Sequence, residues 1–245
     1  MKAFTKKLSR IAVVYRDAGI RGISSRLIGR TLRSIGCDDP KHAEWLREKA
    51  VADNAFDEVN GTLTGGVKEI FDLKIVGKNA RHGLSHIATD PAAFLGLIGE
   101  LDIDFASHTF IDLGSGRGRA LLLATSLPFR RVIGVEFASE LHESAKHNLA
   151  AFAANGGDIS RISLILGDAA DYSFPDEPLV IYMFNPFSSS MVRQVAENVL
   201  ASWRGMPRSI KIFYMNPQHL TEVTGAGWEA VEVGMGRAVF VPKEG

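Results

Sequence analysis

The chain has 245 residues, of which 46% are hydrophobic and 23% are charged, as in an ordinary soluble globular protein. This length fits one large domain, or one domain with an appendage. The single cysteine, Cys37, excludes an intramolecular disulfide and favours a reducing compartment, so we expect a cytoplasmic protein. We expect neither a membrane-spanning helix nor a secretory signal, because no apolar run approaches the roughly 20 residues that a span needs.

The zero net charge hides an asymmetry between the N-terminal arm, residues 1–36, and the rest. The arm holds nine Lys or Arg and one acid, a charge of +8, which leaves −8 for the remainder. On a helical wheel the arginines of the arm lie opposite a set of apolar side chains, which predicts an amphipathic cationic helix. The apolar set is Ile20, Ile23, Leu27, Ile28, Leu32 and Ile35.

Three interpretations of the arm follow from this pattern. A cationic helix suits an anionic membrane surface, which would place the protein at the inner membrane surface, or nucleic acid. It also suits packing on the domain with a solvated arginine face, and we slightly favour this packing because Gly22 and Gly29 weaken a free-standing helix. The charge of −8 on the rest of the chain argues against a broad nucleic-acid-binding face.

The pattern of elements predicts a helical N-terminal extension over residues 1–66 and a main domain over residues 67–245. Residues 41–59 are predicted to form a helix, and Asp90 followed by Pro91 predicts the start of another that ends near residue 101. Strands and helices then alternate. Strands are predicted at 108–112, 131–136, 161–166, 178–184, 208–215, 228–233 and 237–241, and helices at 118–127, 139–154, 188–203 and 217–224.

This alternation predicts an α/β fold with a doubly wound, seven-stranded, mostly parallel sheet. The last two strands are joined by a short glycine-containing link, which predicts an antiparallel hairpin at one edge of that sheet. In folds of this kind, ligands bind at the carboxyl ends of the strands.

The most informative segment, from Phe110 to Arg119, reads F-I-D-L-G-S-G-R-G-R. It predicts a strand that ends at Asp112, a tight turn rich in glycine, and the start of a helix. Gly114 and Gly116 let the backbone approach a ligand where a Cβ would clash, and Ser115 lies between them. We therefore expect a nucleotide-like ligand at this turn.

Three further groups of residues follow the next three predicted strands. Glu136 ends V-I-G-V-E-F, where a carboxylate can accept hydrogen bonds from both hydroxyls of a ribose. Asp168 and Ala169 follow the next strand, and Asn185, Pro186 and Phe187 the one after it. Each group alone is ordinary turn or capping chemistry. Together, on one edge of a sheet, they favour a single ligand cleft.

The residues at the turn favour a cationic nucleoside over a dinucleotide. The dinucleotide fingerprint places a small residue where this chain has Arg119, and Asp112 would repel a pyrophosphate. S-adenosylmethionine carries a sulfonium, an ammonium and a ribose, which suit Asp112 and Glu136. The pair His82 and His86 has no clustered third ligand, so we expect no metal site.

D-L-G-S-G-R-G-R, G-V-E-F, G-D-A-A and F-N-P-F resemble, in order and spacing, the four motifs of class I S-adenosylmethionine-dependent methyltransferases. The resemblance covers about residues 85–241. The first two motifs look particularly like the histone-lysine methyltransferases that lack a SET domain, and their bacterial relatives.

The resemblance implies a Rossmann-like methyltransferase fold and a role for each motif. The first motif would hold the methionine end, Glu136 the ribose and Phe137 the adenine, with Asp168 and Ala169 also at the base. The segment H-I-A-T-D-P adds Thr89 and Asp90. The cofactor-binding residues implied are Thr89, Asp112, Gly114, Ser115, Gly116, Glu136, Phe137, Asp168, Ala169 and Asn185.

The resemblance also implies a methyl acceptor. Methyltransferases that act on amines commonly carry N-P-P-(Tyr/Phe), whereas this chain has N-P-F with one proline fewer. Asn185, the carbonyl of Pro186 and Phe187 are then the expected catalytic residues, and a lysine of a protein is the expected acceptor. The alternatives are a non-catalytic binding module, an enzyme that methylates a small molecule or lipid, and a nicotinamide-dependent oxidoreductase.

Overall fold

The computed structural model describes residues 40–68, 86–234 and 236–243. The compact unit that contains the sheet extends from Ala52, and the predicted division of the chain at residue 67 stays a prediction. The predicted cationic helix, Cys37 and His82 lie outside the described residues. No helix in the described ranges is both long and apolar enough to span a membrane.

The described helices and the seven strands of the main sheet agree closely with those predicted, apart from differences at their ends, whereas the short strands at 67–68 and 86–87 were not predicted. The helices are α1 (Pro40–Asn60), α2 (Pro91–Ile98), α3 (Arg119–Ala124), α4 (Ser139–Ala154), α5 (Ser189–Gly205) and α6 (Leu220–Gly225). The strands are β1 (Val67–Lys68), β2 (His86–Ile87), β3 (Thr109–Leu113), β4 (Arg131–Glu136), β5 (Ile162–Leu166), β6 (Leu179–Phe184), β7 (Ile210–Met215), β8 (Trp228–Gly234) and β9 (Arg237–Pro242).

Seven strands form one sheet in the order β5-β4-β3-β6-β7-β9-β8, and β1 pairs with β2 separately. Neighbours from β5 to β7 are parallel, whereas β9 runs antiparallel to both β7 and β8. This confirms the predicted mostly parallel sheet with its antiparallel C-terminal hairpin. Because the strand order reverses at β3, the crevice of the doubly wound sheet opens between the ends of β3 and β6.

The central strands β3, β4, β6 and β7 consist mostly of buried residues because helices cover both faces of the sheet there, whereas the edge strands β5 and β8 are largely exposed or half-buried. Side chains of α2 and α3 pack on one face with Phe110, Val180 and Tyr182. Side chains of α5 and α6 pack on the other face with Ile181, Met183 and Tyr214. Successive residues of β6 therefore point to opposite faces, and its tyrosine and that of β7 lie on different sides of the sheet.

Candidate active site

A cleft opens where the carboxyl ends of β3, β4 and β6 meet. Its empty volume, including its open mouth, is about 630 Å³. Nine predicted site residues line it: Thr89, Asp112, Gly114, Ser115, Gly116, Glu136, Phe137, Pro186 and Phe187. Asp90, Asp168, Ala169 and Asn185 are not among the described residues that line it.

The glycine turn after β3 lies against the turn after β6. Gly114 has φ +88°, and a Cβ built on it would lie 2.7 Å from Cβ of Pro186. Gly116 has φ +56°, a conformation that a larger residue rarely adopts. The first and fourth motifs, far apart in sequence, thus share one edge of the cleft.

Glu136 is buried at the end of β4 and bound by backbone amides. Its Oε2 accepts a hydrogen bond from the Gly116 amide at 2.7 Å and its Oε1 one from the Ala138 amide at 2.8 Å. Burial raises the pKa of Glu136 to about 7, although these amides and that of Phe137 act to lower it. The side chain joins the glycine turn to the start of α4.

Asp112 is buried one strand away, and its pKa is raised well above the usual range by burial and by the charge of Glu136. No described residue donates a hydrogen bond to its carboxylate. The Oγ of Ser115, next to it in the cleft, is also buried and without a partner among the described residues. These groups can therefore bind a donor or a cation.

Thr89 reaches the cleft from the segment after β2. Its Oγ1 lies 3.1 Å from the hydroxyl of Tyr182, a buried residue of β6 that also lines the cleft. Burial and the nearby charge of Asp112 raise the pKa of Tyr182 well above its usual range. The phenol stays protonated and links Thr89 to the floor of the cleft.

Asp90 and Asp168 act as helix caps in this structure. Oδ1 of Asp90 accepts a hydrogen bond from the Ala93 amide at 2.7 Å, at the start of α2. Oδ1 of Asp168 accepts one from the Ala170 amide at 3.0 Å and caps the short 3₁₀ helix Ala169–Asp171. The binding roles predicted for Asp168 and Ala169 stay predictions.

Asn185 follows β6 in a left-handed conformation, φ +45°. Its Oδ1 accepts a hydrogen bond from the hydroxyl of Tyr214 on β7 at 3.1 Å. Pro186 and Phe187, which follow it, line the cleft, and Phe187 is buried. The predicted catalytic residues thus form a turn in which Asn185 bonds to the sheet and the next two residues form a wall.

Arg119 lines the cleft, yet its charge is already paired. Its guanidinium forms ion pairs with Asp53 and, at 3.3 Å, with Asp57, and its Nε donates to Oγ1 of Thr64 at 2.6 Å. It also lies 4.7 Å from the ring centre of Phe56. The residue that replaces the third small residue of a dinucleotide fingerprint therefore anchors residues 53–64 to the glycine turn.

The described residues contain no group of three or more His, Cys, Asp or Glu side chains that could hold a metal ion.

No protein-family model matches the sequence, and no curated protein matches it. Solved structures do resemble it. An RNA methyltransferase from Salinibacter ruber, solved with S-adenosyl-L-homocysteine, has a TM-score of 0.50 and 18% identity, over 64% of this chain and 95% of that chain. The domain has the class I methyltransferase fold.

A predicted N6-adenine-specific DNA methylase from Listeria monocytogenes is also similar to this chain. It has a TM-score of 0.49 and 15% identity over 62% of this chain. The chain spans only 50% of that methylase. The narrower resemblance to histone-lysine enzymes without a SET domain stays a prediction.

The structure adds residues to the site that sequence reasoning missed. Tyr182, Phe184 and Arg119 line the cleft, and Tyr214 binds Asn185. The sequence contains one signal that points to the end of β7, where Tyr214 lies. The pair Asn-Pro of the fourth motif occurs again there, and Asn216 has φ +46°, nearly the angle of Asn185.

Proposed function

We propose that this protein is an S-adenosylmethionine-dependent methyltransferase. One observation carries the proposal: two buried carboxylates with raised pKa values, Asp112 and Glu136, face one cleft, and Asp112 has no hydrogen-bond donor among the described residues. A buried carboxylate is costly unless a positive charge or hydrogen-bond donors compensate it. A ligand with a cationic centre and ribose hydroxyls offers both.

The remaining groups of the cleft fit the same ligand. The unpartnered Oγ of Ser115 can bond to the polar methionine end. Phe137 supplies an aromatic surface in the cleft for the adenine. The turn at Gly114 and Gly116 keeps the backbone close to the ligand because neither residue carries a Cβ. Arg119 adds no competing free charge, since Asp53 and Asp57 pair with it.

The protein's part in the reaction would be alignment and exclusion of water. When bound, S-adenosylmethionine supplies a methyl group on a sulfonium, which needs no protonation to leave. Asp112 and Glu136 would fix the two ends of the nucleoside, and Pro186 and Phe187 would limit access of water at the reacting side. No proton relay is required.

We further propose an amine nitrogen as acceptor, with a lysine of a protein as the first candidate. The support is the sequence F-N-P-F, in which the Asn185 amide oxygen and the Pro186 carbonyl can accept hydrogen bonds from an amine. Attachment of residues 1–36 to an anionic membrane surface is a separate proposal, supported by their charge of +8. Its test is sedimentation of the full chain and of a variant lacking residues 1–36 with anionic vesicles.

The main test separates binding from turnover. Calorimetry should detect binding of S-adenosylmethionine by the full chain. Radiolabelled methyl transfer to cell extract, fractionated into protein, nucleic acid, lipid and small molecules, should then label the protein fraction. Absence of binding contradicts the proposed function, whereas binding without any labelled product favours a non-catalytic module. Label in another fraction contradicts only the acceptor.

A further inference from the structure

Two buried tyrosines on neighbouring strands bond to predicted site residues. Tyr182 on β6 contacts Thr89 through its hydroxyl, and Tyr214 on β7 donates its hydroxyl proton to Asn185. Their side chains lie on opposite faces of the sheet. Each tyrosine therefore bonds to a predicted site residue from its own face of the sheet.

The hydrogen bonds of Tyr214 define the direction of its bond to Asn185. The O–H of Tyr214 donates to Oδ1 of Asn185, and the backbone N–H groups of Gln218 and His219 act to lower the pKa of the phenol. Burial raises the pKa of Tyr214 to about 12, which keeps this proton in place at neutral pH. A hydroxyl that donates must meet the oxygen of the Asn185 amide and not its NH₂ group.

The backbone of Asn185 is constrained by the elements on either side of it. Phe184 pairs with Met215 across β6 and β7, so Asn185 and Asn216 end adjacent strands, with φ of +45° and +46°. The next residue, Pro186, lies against Gly114 of the first turn. Asn185 therefore directly precedes the residue that contacts the cofactor turn.

We propose that Tyr214 is a positioning residue that fixes the orientation of the Asn185 amide beside the cleft, next to Pro186, which lines it, so that the amide oxygen can face a bound methyl acceptor. This oxygen then selects acceptors that donate a hydrogen bond, such as amines. Without the hydroxyl, the amide can turn through 180° and offer its NH₂ group instead. The inference rests on the proposed function, because the acceptor side is defined by the methyl group to be transferred.

Two cofactor analogues test this without knowledge of the acceptor. S-adenosylhomocysteine lacks the methyl group, and sinefungin carries an amine in its place. Calorimetry on the wild type, Tyr214→Phe and Tyr182→Phe gives the ratio of the two affinities. For Tyr214→Phe we expect the preference for sinefungin to fall roughly three- to tenfold, the usual net value of one hydrogen bond, with affinity for S-adenosylhomocysteine unchanged. Tyr182→Phe should weaken both ligands equally.

A double substitution distinguishes positioning from packing. The carboxylate introduced by Asn185→Asp presents two equivalent oxygens, so in that background the further change Tyr214→Phe should leave the ratio nearly constant. An equal fall of the ratio in both backgrounds would overturn the inference, as would an unchanged or increased ratio for Tyr214→Phe alone. Failure of the wild type to bind either analogue would instead contradict the proposed function.

Discussion

The two sides of the cleft differ in how far the protein satisfies its own polar groups. On the side of β3 and β4, Asp112 and Ser115 have no hydrogen-bond partners among the described residues, and Glu136 is buried at a raised pKa. On the side of β6 and β7, the amide oxygen of Asn185 already accepts a hydrogen bond from the hydroxyl of Tyr214. The first side needs a ligand to complete it, whereas the second is already complete.

This difference explains why the cofactor can be inferred and the acceptor is harder to infer. Uncompensated buried groups specify the chemistry of what must bind them. The turn after β6 leaves few such groups for a ligand to compensate, because Asn185 bonds within the protein and Pro186 and Phe187 present apolar surface. The identity of the acceptor therefore depends on one amide oxygen and one carbonyl.

The largest expected effect comes from filling the cofactor side. Gly116→Arg places a long side chain in the cleft, at a backbone position with φ +56°. The turn can then no longer approach the ligand closely. We expect affinity for S-adenosylmethionine to fall at least about a hundredfold, or roughly 2.7 kcal/mol, by calorimetry. Gly156→Arg is the matched control, since Gly156 also has positive φ but meets open space. Equal losses in both variants would point to backbone strain and not to the cleft.

The next effect comes from the buried carboxyl group of Asp112 on the same side. Asp112→Asn should weaken S-adenosylmethionine roughly ten- to a hundredfold, the range for hydrogen bonds to charged groups. Titration with S-adenosylhomocysteine should show a smaller loss, because that ligand lacks the sulfonium charge. Asp104→Asn makes the same chemical change at an exposed cap outside the cleft and should bind normally. A uniform loss for both ligands would mean that Asp112 does not sense the sulfonium.

Glu136 gives a prediction about stability and pH. Its folded pKa of about 7 lies above that of an unfolded glutamate, so the folded state retains a proton that the unfolded state loses. Stability from this group is present at low pH and is lost as pH rises through about 7. The shift corresponds to about 3 kcal/mol.

Glu136→Gln should therefore flatten the pH dependence and raise the free energy of unfolding at pH 8 relative to pH 5, measured by urea denaturation at both values. Glu197→Gln, at an exposed glutamate of α5, is the control and should leave the profile of the wild type in place. Parallel profiles for wild type and Glu136→Gln would contradict the assignment of this proton.

Much of the fold could be predicted because its signals are local. Alternating strands and helices, the glycine turn and the cap at Asp90 depend on residues close together in sequence, and the structure confirms them. The helix ends were less well predicted: the one expected over 118–127 ends at Ala124. The predicted role of Asp168 is a case where a local cap and a ligand contact share the same signature, so sequence could not separate them.

The sequence by itself determined the element order, the doubly wound sheet, and the presence of one carboxylate at the end of β3 and one at the end of β4. These follow from periodicity and turn chemistry within short windows. Only the tertiary structure decided that Arg119 pairs with Asp53 and Asp57, that Gly114 meets Pro186, and that Tyr214 binds Asn185. These contacts join residues far apart in the chain, and burial, which sets their strength, exists only once the sheet has formed.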